Sequence, residues 1–252
     1  MLDLLSPLKP QSLKEQFVQR FEELILSGEL KIGQKLPSER DLAQKLGVSR
    51  PVVHEGIVEL ATRGLVTLKP RVGTVINDFR KEGSIALLSS LINYQKGGLD
   101  EKLLESMLQL RLLMETDFAR LAAMHCTKDL LETLKKINAA EFATDEKHID
   151  AIIALDFEFH LYIAIATGNM IYPLLMNSFK PVYTNLSGLF FQNTSVTREV
   201  HDFHKELIAA IEKKNPIKAS EIMNTMLRHG EAHLRKIITI SKSPSTRRRK
   251  AQ

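Results

Sequence analysis

Apolar residues recur every three or four positions along most of this chain, which is the spacing of an amphipathic helix. The pattern first predicts a helix from Gln11 to Ser27, which Gly28 ends. After Ile76 the same spacing predicts further helices near residues 99–125, 128–142, 146–168, 170–192, 196–214 and 216–240. Helices in such close succession predict an antiparallel bundle in the C-terminal part of the chain.

The segment from Leu36 to Ile57, LPSERDLAQKLGVSRPVVHEGI, contains two helix-start signals separated by a tight turn. Ser38 stands three residues before Asp41, which is the spacing of a capping box. Gly47 suits the left-handed conformation that ends a helix, and Ser49 caps a second one. Two short helices joined by a glycine-containing turn predict a helix-turn-helix, whose second helix fits the major groove of DNA.

Two short β-rich runs follow, from Gly64 to Leu68 and from Gly73 to Ile76. The residues between them form a basic tip, so the sequence predicts a β-hairpin wing. A packed pair of helices without a partner is the alternative interpretation. However, several donors lie at or near helix N-terminal ends, where they can reach phosphates and base edges, which favours DNA binding. These donors are Arg40, Ser49, Arg50 and His54.

The predicted fold class is mainly α, with an N-terminal winged helix-turn-helix and a C-terminal antiparallel helical bundle. The length of 252 residues suits two domains, which we expect over residues 1–78 and 79–240. Hydrophobic residues make up 44% of the chain and charged residues 26%, as in an ordinary globular protein. Cys126 is the single cysteine, so no internal disulfide can form.

The chain has no run of 18 apolar residues, and its N-terminus lacks the basic-then-apolar pattern of a signal peptide. We therefore expect a soluble, cytoplasmic protein without a membrane partner. Residues 241–252 carry five basic and no acidic side chains and are expected to be disordered. Such a tail either adds salt-sensitive attraction to phosphates or is a solvated terminus without function.

Three polar residues of the helical region lie on otherwise apolar faces. Asp156 and His160 are four residues apart, so they share one face of a helix. His204 lies on a later helix whose apolar stripe also points inward. An aspartate and two histidines suit a divalent first-row metal, such as zinc or nickel, with open positions for water or a ligand. An ordinary Asp–His hydrogen bond is the alternative, and His201 could be the inward residue instead of His204.

These features together resemble the FadR subgroup of the GntR family of transcriptional regulators, over nearly the whole chain. The motifs are PSERDLAQKLGVSR, then R-x-x-x-E at Arg111, D-x-x-x-H at Asp156 and H-x-x-x-x-x-A-I at His204. The resemblance implies a homodimeric regulator that binds operator DNA and an effector and is not an enzyme.

In the DNA-binding part, the resemblance implies that Arg40, Ser49, Arg50 and the wing tip around Arg71 hold operator DNA. The family usually has an arginine where this chain has His54. A neutral imidazole cannot supply the bidentate contact of a guanidinium. This departure weakens a phosphate or guanine contact, or alters base preference.

In the helical part, the resemblance implies two alternative ligand chemistries. Metal-binding members supply an aspartate, a histidine four residues later and two further histidines; Asp156, His160 and His204 match the first three. The fourth position falls on Met226, a poor ligand for such a metal, and His229 lies about one turn further along. The stretch TGNMIYPLLMNSFKPVYTNL is instead similar to the fatty-acid-responsive members, which bind long-chain acyl-CoA without metal.

Arg111 lies one turn before Glu115, so an intrahelical ion pair worth roughly a few tenths of a kcal/mol is one interpretation. The resemblance implies instead that Arg111 faces a cavity and meets an acidic effector, whose carboxylate suits a guanidinium. Tyr183 and Asn185 are weaker candidates for the same pocket.

The sequence therefore predicts a sequence-specific DNA-binding regulator, a repressor that an acidic small molecule releases from its operator. The effector is a metal-assisted organic or sugar acid, or alternatively an acyl-CoA bound without metal. A metallohydrolase fused to a DNA-binding domain is a more distant alternative, since three ligands with an open position also describe catalytic zinc sites. An architectural DNA-binding protein with a purely structural bundle is another.

Overall fold

A computed structural model describes residues 12–87, 90, 101–193 and 195–242 of the chain. The expected disordered tail lies outside these residues, except for positions 241 and 242, which continue the last helix. The chain divides into two compact units, Met1–Gly98 and Leu99–Gln252. Each unit has its own hydrophobic core.

The N-terminal unit is a winged helix-turn-helix. Its helices are α1 (Leu13–Leu26), α2 (Glu39–Leu46) and α3 (Arg50–Thr62), and its strands are β1 (Val66–Lys69) and β2 (Gly73–Ile76). Gly47 ends α2 with a left-handed φ of 66°, as the sequence predicts. The fold class expected for this unit is confirmed.

The cap of α2 differs from the predicted capping box. The Ser38 hydroxyl accepts a hydrogen bond from the backbone N–H of Asp41 (3.2 Å) and donates one to its carboxylate (2.7 Å). The carboxylate is thus engaged by the hydroxyl rather than by the backbone of Ser38. A reciprocal capping box forms instead at the start of α1, between Ser12 and Glu15.

The wing is an antiparallel hairpin in which Val66 pairs with Ile76 and Lys69 pairs with Gly73. Arg71, at the tip, has a φ of 63°, a left-handed conformation that is uncommon outside glycine. The other edge of β2 pairs with the segment before α2, through a bridge between Lys35 and Val75. One edge of β2 therefore closes the hairpin with β1, and the other edge holds the wing against the segment before α2.

Gly56 allows α1 and α3 to pack closely. A Cβ atom at this position would overlap the ring of Phe17, which stacks in turn on Phe21. Val53, Ile57 and other apolar residues complete the core of the unit around this contact.

The residues that follow the wing belong to the N-terminal unit. A short helix, α4 (Phe79–Glu82), passes so close to Gly64 that a Cβ there would overlap the backbone of Glu82. Leu87 is buried in the N-terminal core, and Ser90 hydrogen-bonds to Glu22 (2.8 Å). These contacts keep the residues that follow the wing packed on the N-terminal unit, which by its contacts extends to Gly98.

The C-terminal unit consists of helices joined by short loops. They are α5 (Glu101–His125), α6 (Lys128–Ala143), α7 (Ile149–Ala166), α8 (Ile171–Phe190), α9 (Ser195–Glu212) and α10 (Pro216–Lys242). Short loops make consecutive helices antiparallel neighbours, so the predicted bundle is confirmed. Among the described residues, no helix has the length and hydropathy that crossing a membrane requires.

Candidate functional site

All five candidate DNA-contacting residues, Arg40, Ser49, Arg50, His54 and Arg71, are exposed on the N-terminal unit. Arg40 and Arg50 line one groove together with Lys35 and Lys69, between the helix-turn-helix and the wing. Ser49 is the N-cap of α3, but its side chain makes no capping hydrogen bond. Its hydroxyl is therefore available to a phosphate.

His54 contacts α2 as well as facing solvent. Its Nδ1 lies 2.8 Å from Oε1 of Glu39, the first residue of α2. The imidazole is half exposed, with 56% of its side-chain surface accessible. The sequence analysis identified His54 but not Glu39, because a contact between two helices has no signature in the spacing of residues along one of them.

Asp156, His160 and His204 converge in the C-terminal unit. Each is buried and offers one ligand atom, and these atoms all lie within 4.8 Å of one another. Asp156 and His160 lie on adjacent turns of α7, and His204 lies on α9. The structure thus brings together the three residues that the spacing of the sequence singled out. Their donor set, one carboxylate and two imidazoles, suits a divalent first-row metal.

Buried carboxylates orient both histidines of this cluster. The Nδ1 of His204 lies 2.8 and 3.0 Å from the two carboxylate oxygens of Glu141, on α6. The Nδ1 of His160 contacts Oε2 of Glu115, on α5. Because Glu141 engages Nδ1 of His204, the Nε2 of His204 remains available to a metal, which is the usual carboxylate–histidine–metal arrangement.

Neighbouring groups keep these two carboxylates ionised. Burial alone would raise the pKa of Glu115, but Arg111 and His160 lower that pKa to about 2. Burial likewise opposes ionisation of Glu141, yet His204 and Asn138 lower its pKa. Both groups are therefore anionic at neutral pH: Arg111 compensates the charge of Glu115, and hydrogen bonds from His204 and Asn138 stabilise that of Glu141.

His204 has a free nitrogen that points into the cluster. Its Nε2 is buried, lies 3.9 Å from Oδ1 of Asp156 and makes no hydrogen bond. A buried nitrogen without a partner is costly, and a bound ligand at this point would satisfy it. His201 and His229, the alternatives from the sequence, are not in the cluster: His201 packs edge-on against Phe142, and His229 pairs with Glu199 at 2.9 Å.

Arg111 and Tyr183 lie beside the cluster. Nε of Arg111 donates to Glu115 at 2.6 Å, and its guanidinium stacks over Tyr183 at 4.5 Å from the ring centre. The Tyr183 hydroxyl donates to Oδ2 of Asp156 at 2.6 Å. Burial opposes the charge of Arg111, but Glu115 raises its pKa above the ordinary value. Arg111 thus forms the intrahelical pair and also faces the cavity.

A small cavity of about 50 Å³ opens beside Asp156 and His160. Arg111, Tyr183 and Met226 contribute to its wall. Asn185 does not, so its assignment to this pocket is wrong: it is exposed and lines a different groove, near His148. Residues two positions apart on a helix point in opposing directions, and Tyr183 is the one that faces inward.

Glu141 was missed in the sequence, although a signal was present. It follows Leu134, Ile137 and Asn138 at positions that share the buried face of α6. A carboxylate on such a face needs a partner, and here the partner is His204.

A winged helix-turn-helix joined to a helical domain with a polar buried site is the architecture of a DNA-binding transcriptional regulator. Residues 13–76 match the model of bacterial regulatory proteins of the gntR family, and residues 77–237 match the FadR C-terminal domain. The chain belongs to the GntR family, in the group that carries this C-terminal domain. Its family consists of transcriptional regulators rather than enzymes.

Similar proteins span most of the chain. The regulator Mce2R of Mycobacterium tuberculosis is 31% identical over 224 residues, which cover 88% of this chain and 92% of that protein. A fatty acid metabolism regulator protein of an Enterobacter species is 30% identical over 175 residues, 69% of this chain and 71% of its own. The structure of Lar from Listeria monocytogenes, 16% identical, matches with a TM-score of 0.58 over 91% of this chain and 99% of Lar, and shares the fold.

Proposed function

We propose that this regulator senses a small acidic molecule through a divalent metal held by Asp156, His160 and His204. Binding of the effector lowers the affinity of the protein for its operator, so the protein is a repressor that the effector releases. The regulator works as a homodimer on an inverted-repeat operator, because one recognition helix spans only a few base pairs.

The observation that carries the proposal is the orientation of the two histidines. Glu141 engages Nδ1 of His204 and leaves its Nε2 for a metal beside Asp156, and His160, whose Nδ1 contacts Glu115, offers a further nitrogen to the same cluster. An aspartate that needed only a hydrogen bond would be satisfied by Tyr183, which already donates to it at 2.6 Å. The unpartnered Nε2 of His204 then has no role other than to bind a ligand.

The surroundings of the cluster fit an acidic ligand. A divalent metal with three protein ligands keeps open positions for the oxygens of a carboxylate. Arg111 adds a fixed positive charge to the wall of the cavity. Its Nε is committed to Glu115, and the remaining donors of the guanidinium can bind a second carboxylate or hydroxyl of the ligand.

The size of the cavity supports a small effector. Its volume of about 50 Å³ corresponds to only a few water molecules. Residues from α5, α7, α8, α9 and α10 surround this space, so a ligand there contacts most of the bundle. Different affinities for two arrangements of these helices would couple the ligand to DNA binding.

A second candidate is an acyl-CoA bound without metal. Fatty acid metabolism regulators are among the relatives. A second cavity, of about 20 Å³, shares Arg111, Tyr183 and Leu186 with the first one. Its other lining residues are Met107, Leu110, Met114, Glu115, Met176, Phe179 and Val182. A long acyl chain would require these helices to separate, which the flexible methionines would ease.

The test compares the wild type with His160→Ala and with the matched control His125→Ala, which replaces an exposed histidine at the end of α5. The metal content of each purified protein is measured, and then the release of a selected DNA duplex by short hydroxy acids, sugar acids and a long-chain acyl-CoA. We expect His160→Ala to lose both metal and acid response, while His125→Ala keeps both. Release of DNA by acyl-CoA alone, equally in all three proteins, would support the second candidate instead.

A further inference from the structure

The DNA-binding unit contains one histidine, on the exposed face of α3. His54 is the single histidine among residues 1–98 of the sequence; the other seven lie beyond residue 124. It is one turn after Arg50 on α3, so both side chains lie on the same exposed face. Imidazole is the side-chain type that gains or loses a proton most readily near neutral pH.

Glu39 determines which nitrogen of His54 carries a proton. Its carboxylate lies 2.8 Å from Nδ1 and accepts a hydrogen bond, so the neutral imidazole is held with its proton on Nδ1. The Nε2 atom of the neutral ring is then an acceptor. Phosphate oxygens and the guanine edge are also acceptors, so neutral His54 cannot bind them. Only the imidazolium presents an Nε2–H donor to the DNA.

The charges around His54 explain why the proton matters. Glu39 lines the same groove as Arg40 and Arg50, where its negative charge faces a phosphate backbone. Arg40 is paired with Asp41 at 3.6 Å. Glu55 is the next residue after His54 on α3. Lys35 and Lys69 line the same groove on the side of the wing. A protonated His54 neutralises Glu39 and restores the positive face that DNA binding needs.

From this geometry we infer that Glu39 and His54 act as one DNA-reading pair, in which Glu39 positions the imidazole and operator binding takes up a proton at His54. A proton on His54 thus supplies the positive charge and the Nε2–H donor that the neutral ring lacks. The operator affinity of this protein therefore depends on pH. This dependence arises in the DNA-binding unit and does not require the metal site or the effector.

The test uses the full-length protein and one fixed duplex, selected by that protein from a random-sequence library at pH 6.5. Its affinity is measured from pH 6.0 to 8.0 at constant salt. Linkage of one proton lowers the affinity of the wild type by about five- to twentyfold across this range. His54→Arg should bind tightly with a flat profile, and His54→Gln should bind weakly with a flat profile.

Glu39→Gln tests the positioning role. Loss of the carboxylate removes the charge that favours the imidazolium, so the midpoint of the pH profile should move to lower pH. Glu55→Gln is the matched control, because it removes an exposed negative charge from α3 beside His54 and should leave the midpoint unchanged. Thermal melting confirms that each variant is folded.

Three results would overturn the inference. A flat wild-type profile would show that no proton is taken up. A pH dependence retained in His54→Arg would place the proton on another group. Affinity that rises with pH would mean that neutral His54 accepts a hydrogen bond from an adenine or cytosine amino group.

Discussion

Met226 lies on α10 and contributes to the wall of the cavity beside His160. It occupies the position where the family resemblance implies a fourth metal ligand. A thioether is a soft ligand that suits Cu(I) better than zinc or nickel. In the proposed metal site, Asp156, His160 and His204 would thus leave more coordination positions open to an effector than a set with a fourth histidine would.

Replacement of this side chain by an imidazole should strengthen metal binding. We expect Met226→His to raise the affinity for zinc by about tenfold or more, which corresponds to about 1.4 kcal/mol. Competition with a chromophoric chelator measures this affinity. Met226→Leu keeps an apolar side chain without a donor and serves as the control. Equal affinities of the two variants would show that residue 226 does not reach the metal.

The residues of the site differ in how far the sequence could identify them. Asp156 and His160 could be identified from the sequence because helical periodicity alone puts residues four apart on one face. Glu141 and Glu115 orient the histidines from two other helices, and their pairing depends on tertiary packing. The error at Asn185 has the same origin, since the rotation of α8 decides which of its polar residues faces the cavity.

At the scale of elements, the contact between α1 and α3 fixes the recognition helix. Gly56 lies on α3 between the exposed face and the core, and Phe17 of α1 fills the space that a side chain would occupy. Periodicity predicted both helices but not this contact, because a glycine in a helical pattern gives no information about what packs against it.

Gly56→Ala should destabilise the N-terminal unit despite the better helix propensity of alanine. Propensity favours alanine by about 1 kcal/mol, whereas forcing a methyl group against a packed ring costs about 1–3 kcal/mol. We expect the urea midpoint of unfolding for this unit to fall, together with operator affinity.

Gly188→Ala on α8 provides the control for this substitution. A Cβ atom there would meet Ile153 at an ordinary 3.7 Å, so stability should be unchanged or slightly increased. If both alanine variants were equally stable, the close packing of Gly56 on Phe17 would not hold in solution.

At the scale of the whole molecule, the chain carries one recognition helix and a helical domain with exposed apolar side chains. The large exposed ones in the C-terminal unit are Leu113, Met124, Met170, Ile171, Leu174 and Ile217. The proposed homodimer rests instead on the operator argument, since single exposed apolar residues are common on protein surfaces. The sequence predicted two units from length and composition, but the assembly depends on surfaces that periodicity does not distinguish from the core.

A homodimer predicts that the two half-sites of the operator have a fixed spacing. Insertion of five base pairs between the half-sites rotates one of them by about half a turn of DNA, since a full turn takes about 10 base pairs. We expect specific affinity to fall by at least about tenfold, to the level of a duplex with one half-site scrambled. Fluorescence anisotropy measures both. An insertion without effect would indicate that a single protomer recognises the operator.

The close packing of the segment after the wing determines where the DNA-binding units of such regulators can be joined to a different C-terminal domain. Gly64 admits the backbone of Glu82, Leu87 fills part of the core, and Ser90 hydrogen-bonds to Glu22. A chimaera joined at residue 78, where the strands have ended, would replace these residues with foreign ones and open the core of the DNA-binding unit. A junction after Gly98 keeps them, so recombination between relatives, natural or engineered, should succeed more often at the later point.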